Sequence, residues 1–254
     1  MFIRTHDENQ LFVQTFGSDK NETIIFCNSL GTSFSMWEKQ IQALSSRYHI
    51  IAYDTRGHGQ STSLHAPWSL QDLGKDVITL LNHFHIEQAI FCGISMGGIT
   101  GQWLAIHYPN RFKKFIICNT AAKLGSQASW EERRNLVLAK GLEPIACTAG
   151  SRWFTPAFIE NNPECLKELT VRMLLGDPKG YSYCCEILAK ADLRSEIASI
   201  QANVIVVAGE FDPVTTISDA EFIHHQIKQS KLVILPCSHI SNIEQAEAFN
   251  QLFD

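Results

Sequence analysis

No stretch of this chain approaches the roughly 20 apolar residues needed to cross a bilayer, and its strongly apolar runs, such as Val204–Ala208, have only strand length. The opening residues, Met1-Phe2-Ile3-Arg4-Thr5-His6-Asp7, lack the long apolar core of a secretory signal, which predicts a cytoplasmic protein. Positive charge is in deficit: 21 Lys and Arg stand against 26 Asp and Glu, a net charge of −5. No cationic surface is therefore on offer to nucleic acid or to an anionic membrane. The eight cysteines include no Cys-x-x-Cys pair, and Cys27, Cys92 and Cys118 sit inside apolar runs as small core residues. Metal spacing is missing too. His224 and His225 are adjacent, and His83 and His85 are two apart, whereas two ligands on one helical face need a separation of three or four. We expect no metal.

What remains is an enzyme-sized globular chain: 254 residues, 45% hydrophobic and 19% charged, too apolar for extended disorder and far too long for a disulfide-stapled miniprotein. Short β-branched and aromatic runs alternate with helical patterns, the mark of a mostly parallel sheet with crossover helices. Phe2–Thr5 and Leu11–Phe16 predict an antiparallel hairpin. Thr23–Asn28, Ile50–Tyr53, Ala89–Cys92, Phe115–Cys118, Asn203–Val207 and Lys231–Leu235 predict six buried strands. Between them Leu70, Leu73, Val77, Leu80, Leu81 and Phe84 fall on one helical face, as do Ile217, Ala220, Ile223 and Ile227. After Ala122 the strand rhythm stops for about 80 residues, and helical patterns broken by Pro144, Gly150, Pro156, Pro163 and Gly176-Asp177-Pro178 take over. The expected architecture is α/β: an eight-stranded sheet flanked by helices, residues 1–122 and 190–254, with a helical cap, residues 123–189, inserted after the sixth strand. A capping box is expected at Ser241-Asn242-Ile243-Glu244.

Gly93-Ile94-Ser95-Met96-Gly97 follows a buried strand and precedes a helical run, the setting in which Gly-x-Ser-x-Gly forms a sharp turn that lifts a nucleophilic hydroxyl above the sheet. A serine hydroxyl needs a base, and the base needs an acid to fix its tautomer and stabilise the imidazolium. Asp212, just past a strand, and His239, after the last strand, follow Ser95 in the required order. The position after the strand ending at Cys118 could hold a competing acid but carries Asn119 and Thr120. Acyl transfer also needs donors for an oxyanion, and the backbone N–H groups of Met96 and Leu30 are the candidates. Asp54-Thr55-Arg56-Gly57-His58-Gly59-Gln60-Ser61 reads as a tight polar turn with a scaffolding role.

Asp54 to Ser61, the serine turn, Gly209 to Pro213 and His239 together resemble the α/β-hydrolase superfamily across essentially the whole chain. More narrowly, Asn28-Ser29-Leu30-Gly31-Thr32 with Met36-Trp37, Arg152-Trp153-Phe154-Thr155, and Ser238 to Gln245 resemble the 3-oxoadipate enol-lactonases of aromatic-compound degradation. Many superfamily members carry His-Gly where this chain has Asn28-Ser29, and those that cleave epoxides or haloalkanes carry Asp at the nucleophile position. The resemblance implies a serine hydrolase that opens 3-oxoadipate enol-lactone to 3-oxoadipate without a cofactor, acting as a monomer or homodimer. A broader carboxylesterase or carbon–carbon bond hydrolase, and a slow-turnover ligand receptor, are the alternatives. The small anionic lactone has an acetate arm. Residues 123–189 hold eight basic and eight acidic side chains, so the arm should meet local donors rather than a long-range field. Trp130 and Arg133, three apart on one helical face, are expected to offer an indole N–H beside a guanidinium, with Arg134, Arg152 and Trp153 as further substrate-binding candidates.

Overall fold

The computed structural model describes residues 1–254. Eight strands, β1 (Phe2–Arg4), β2 (Gln10–Phe16), β3 (Thr23–Cys27), β4 (His49–Tyr53), β5 (Ala89–Ile94), β6 (Phe112–Cys118), β7 (Val204–Gly209) and β8 (Ser230–Leu235), form one sheet in the order β1-β2-β4-β3-β5-β6-β7-β8. β1 pairs antiparallel with β2, and β2 antiparallel with β4; every other pairing is parallel. All eight expected strands are present, with ends shifted by at most a few residues. The central strands β3, β4 and β5 are buried at every position, because helices cover both faces of the sheet there, and the buried polar side chains of Thr23 and His49 pair with each other at 3.1 Å. The flanking strand β2 alternates instead, and the edge strand β8 is only partly covered.

The helices are α1 (Glu38–Leu44), α2 (Leu70–His83), α3 (Met96–His107), α4 (Gln127–Lys140), α5 (Glu143–Ala146), α6 (Ala149–Trp153), α7 (Pro156–Asn161), α8 (Pro163–Leu174), α9 (Pro178–Lys190), α10 (Ile217–Gln226), α11 (Ser241–Glu244) and α12 (Ala246–Asn250). α4 to α9 lie between β6 and β7 in the chain, and α4 packs along α9. None of these helices is long and apolar enough to cross a membrane.

Two local expectations fail. The Ser241–Glu244 capping box does not form: Ile240 is the N-cap residue of α11 and no side chain caps it. Ser241 Oγ donates to Asn119 Oδ1 at 2.6 Å, and the Glu244 carboxylate accepts from Ser238 N–H at 3.0 Å, from Thr155 N–H at 3.2 Å and from the Thr155 hydroxyl. Three donors brought by the tertiary fold outweigh the one local donor a capping box would offer. The indole N–H of Trp130, expected to be free for a ligand, donates to Leu124 O at 2.6 Å. The chain before α4 turns at Gly125 and sets that carbonyl under the indole.

The Asp54–Ser61 turn follows β4 and is anchored by a buried ion cluster. Arg56 has no exposed surface; its Nε and Nη2 donate to the two oxygens of Asp76 at 2.7 and 2.6 Å, and Nη1 donates to Asp7 at 2.8 Å. Burial would raise the Asp7 carboxyl, but the Arg56 guanidinium and the Thr5 hydroxyl hold it below the usual range. The Trp68 ring covers the guanidinium at 5.3 Å.

Candidate active site

Ser95 lies between β5 and α3 with φ +57° and ψ −111°, a conformation that costs a non-glycine residue about 1–3 kcal/mol and persists only where the surroundings enforce it. The surroundings here are β6 and its extension: Ser95 N–H donates to Cys118 O at 2.9 Å, and Thr120 Oγ1 donates to Ser95 O at 2.8 Å. Gly97 is required by a close approach. A Cβ there would stand 2.2 Å from Cys27 O, so the first turn of α3 rests directly on the backbone leaving β3. The Ser95 hydroxyl has no hydrogen-bond partner within the protein, and His239 Nε2 is not bonded to it; such contacts often tighten only when substrate binds.

His239 Nδ1 is 2.8 Å from Asp212 Oδ2, and both side chains are almost wholly buried. Asp212 is the best-satisfied carboxylate in the site. Oδ1 accepts from Val214 N–H (2.8 Å) and Thr215 N–H (3.1 Å), and Oδ2 from Thr215 Oγ1 (2.7 Å), Asn119 Nδ2 (3.2 Å) and His239 Nδ1. Burial opposes its ionisation, but the facing His239 and the Thr215 donors prevail and hold the carboxyl below its ordinary range. Because both Asp212 oxygens act as acceptors, His239 Nδ1 carries the hydrogen and Nε2 is left with a free lone pair.

In the sequence Asn119 stands out only as a place where a charge is missing. In the structure it donates to Asp212 Oδ2 and to Ser238 O (3.1 Å), tying the loop after β7, which carries Asp212, to the loop that carries His239. Its backbone, at φ +46°, is the one local signal of a special position. Thr215 and Glu244 were missed as well, since neither residue type in those places carries a catalytic pattern.

On the opposite side of Ser95, the loop after β3 runs through Asn28, Ser29, Leu30 and Gly31. Asn28 is pinned at three points: Nδ2 donates to Tyr53 O (2.8 Å), Oδ1 accepts from Trp37 Nε1 (2.9 Å), and its carbonyl accepts from Gly97 N–H (3.1 Å). The backbone N–H groups of Leu30 and Met96 have no acceptor in the protein. A cleft of about 230 Å³ opens beside this loop, bordered by Gly31, Asp54, His58, Met173 and Tyr181; Ser95 does not line it.

The expected substrate-binding residues behave differently from one another. Arg134 is spent on an ion pair with Glu186. Arg152 donates to Ile145 O (2.9 Å) and Thr148 O (3.3 Å), and burial lowers its basicity, as does the neighbouring Arg133. Arg133 stacks over the Trp130 ring at 4.8 Å and meets no carboxylate. Both guanidiniums stand near the buried phenol of Tyr181, which burial pushes up to about 12 against their pull, and Tyr181 in turn packs on Gly31. Trp153 is buried, and its carbonyl accepts from Ile240 N–H at 3.0 Å, beside His239.

Residues 22–144 match the family described as alpha/beta hydrolase fold. The whole chain superposes on the crystal structure of the enol-lactonase from Burkholderia xenovorans with a TM-score of 0.97 and 34% identity, covering 98% of that chain. In sequence, it is 52% identical to 3-oxoadipate enol-lactonase 2 of Acinetobacter baylyi over 93% of this chain and 88% of that one. It is 42% identical to 3-oxoadipate enol-lactonase 1 of the same organism, over 100% of this chain and 95% of that one. The chain belongs to the α/β-hydrolase superfamily and, within it, to the family of the 3-oxoadipate enol-lactonases.

Proposed function

We propose that this protein is a cytoplasmic serine hydrolase that opens 3-oxoadipate enol-lactone with water to give 3-oxoadipate, with Ser95 as nucleophile, His239 as base and Asp212 as its acid. The observation that carries the choice of substrate is the pair of half-buried guanidiniums, Arg133 and Arg152, which lack any carboxylate partner and stand beside the Tyr181 ring that packs on the Leu30–Gly31 loop. Residues 123–189 act as the lid that brings them there.

In this reading Ser95 Oγ attacks the lactone carbonyl while His239 Nε2 takes its proton. The Leu30 and Met96 N–H groups, free of other partners, receive the alkoxide oxygen. Expulsion of the ring oxygen as an enolate, which takes the proton from His239 and ketonises, makes the step irreversible. His239 then draws a proton from water, the hydroxide attacks the acyl ester, and Ser95 recovers its proton as 3-oxoadipate leaves. Ultraviolet-monitored hydrolysis of freshly generated 3-oxoadipate enol-lactone tests the reading; absence of turnover would sink it.

Two further outcomes follow. Arg133, which has no carboxylate partner, is assigned to the acetate arm, so Arg133→Ala is expected to weaken kcat/KM for the lactone by roughly 1.5–3 kcal/mol, the range of a charge-assisted hydrogen bond. A neutral p-nitrophenyl ester measured alongside should hardly change; equal losses would make Arg133 a support for α4. The acid side of the pH–rate profile should also show a single ionisation. The Asp212 carboxyl, held below its ordinary range, stays charged throughout and adds no second break. A pH–rate profile with two acid-side steps would contradict this, as would loss of activity on chelator treatment.

A further inference from the structure

The Leu30 N–H belongs to the Ser29–Leu30 peptide. Because a trans peptide is planar, its N–H points opposite to its carbonyl, so whatever holds Ser29 O also aims Leu30 N–H. Ser29 O accepts from Thr32 Oγ1 at 2.7 Å and from Thr32 N–H at 3.2 Å. The next peptide, Leu30–Gly31, needs a restraint of its own, since rotating it turns the Leu30 backbone that joins the two planes. That restraint comes from 27 residues away: Gly31 N–H donates to His58 Nε2 at 2.9 Å. An N–H can only donate, so Nε2 is unprotonated and Nδ1 carries the hydrogen, directed at Arg56 O at 3.2 Å. Arg56 is itself immobilised by Asp76 and Asp7.

His58 is buried at the edge of the cleft, with the Tyr181 ring beside it at 6.2 Å. Burial pushes its imidazole down to about 4, which keeps it an acceptor in neutral solution. Asp54 Oδ1 holds the same loop further on, accepting from Phe34 N–H at 2.8 Å. The polar turn after β4 thus grips the loop after β3 at two points.

We propose that His58 is a positioning residue for the acyl-transfer reaction: by accepting from Gly31 N–H it fixes the angle at which Leu30 N–H meets the developing alkoxide. This rests on Leu30 being an oxyanion donor, as proposed above. The test is a matched pair of variants. In His58→Gln the amide oxygen falls near the place of Nε2 and can accept from Gly31 N–H. In His58→Asn the amide falls near Nδ1, keeping the contact with Arg56 O and losing Gly31. Each is assayed for kcat and KM on the enol-lactone, for inhibition by phenylboronic acid, whose serine adduct is tetrahedral, and for inhibition by 3-oxoadipate.

His58→Asn is expected to lower kcat by about 10- to 100-fold with KM within about twofold of the parent, and to weaken the boronate by a similar factor while 3-oxoadipate binds as before. His58→Gln is expected to recover to within about fivefold of the parent. A kcat for folded His58→Asn within about threefold of the parent, a His58→Gln as slow as His58→Asn, or a loss confined to KM would each overturn the proposal. If circular dichroism shows His58→Asn unfolded, His58→Met, which fills the ring's volume without an acceptor, takes its place under the same criteria. Ser95→Ala is run in parallel. If it stays active, the serine mechanism and the proposal fall together; if it is inactive while His58→Asn is unimpaired, only the proposal falls.

Discussion

Ser95→Ala, His239→Ala and Asp212→Asn are each expected to lower kcat on the enol-lactone by about 10⁴-fold while the fold survives. Asp212→Asn is the most instructive, because the five donors around the carboxylate leave an amide no comfortable orientation. If the amide oxygen takes the Oδ2 side, its NH2 faces the Val214 and Thr215 N–H groups. If it flips, the NH2 faces His239 Nδ1 and Asn119 Nδ2, and His239 must shift its hydrogen to Nε2, the nitrogen that has to receive the serine proton. Either arrangement spoils the base or strains its support. Since the three groups act as one unit, the Ser95→Ala/His239→Ala double variant should be no slower than the slower single. Steady-state rates on purified variants decide this, and additive losses would break the assignment.

Gly97→Ala is the second large effect. The added methyl carbon would lie 2.2 Å from Cys27 O, 2.7 Å from Cys27 C and 3.0 Å from Asn28 O, all backbone atoms that cannot rotate away. Relief requires α3 to move off the loop after β3, which separates the Met96 N–H from the Leu30 N–H. We expect a destabilisation of at least about 3 kcal/mol, at the upper end for overpacking, with activity lost even where the protein stays folded. Gly150→Ala is the control: its methyl meets only the end of the Leu166 side chain, which can turn, and should cost no more than about 1 kcal/mol. Urea midpoints and kcat for both variants provide the measurement.

The strands were legible because helices cover both faces of β3, β4 and β5, so each is a short, mostly apolar run bounded by turn residues. Ser95, Asp212 and His239 stand out as candidates for a different reason: chain order and position after strands are properties of sequence, and the structure pairs His239 with Asp212. Hydrogen-bond partners are not. Glu244 has the local spacing of a capping residue, yet its carboxylate serves Thr155 and Ser238, which sequence cannot bring near it. Trp130 sits on the expected helical face, but the turn at Gly125 offered its N–H a carbonyl. His58 read as scaffold because its one distinctive contact, Gly31 N–H, belongs to a different crossover.

Glu244 has one more consequence. Its carboxylate fastens the start of α7 and, with the same atoms, the backbone of Ser238, the residue before His239. Any swing of the helical segment that began at α7 would withdraw this shared fastener and loosen the His239 loop while product was still bound. The far margin is fastened as well: in the turn between α8 and α9 Asp177 accepts from the Ser63 hydroxyl, and Gly180 at the start of α9 rests on the backbone of Gly57.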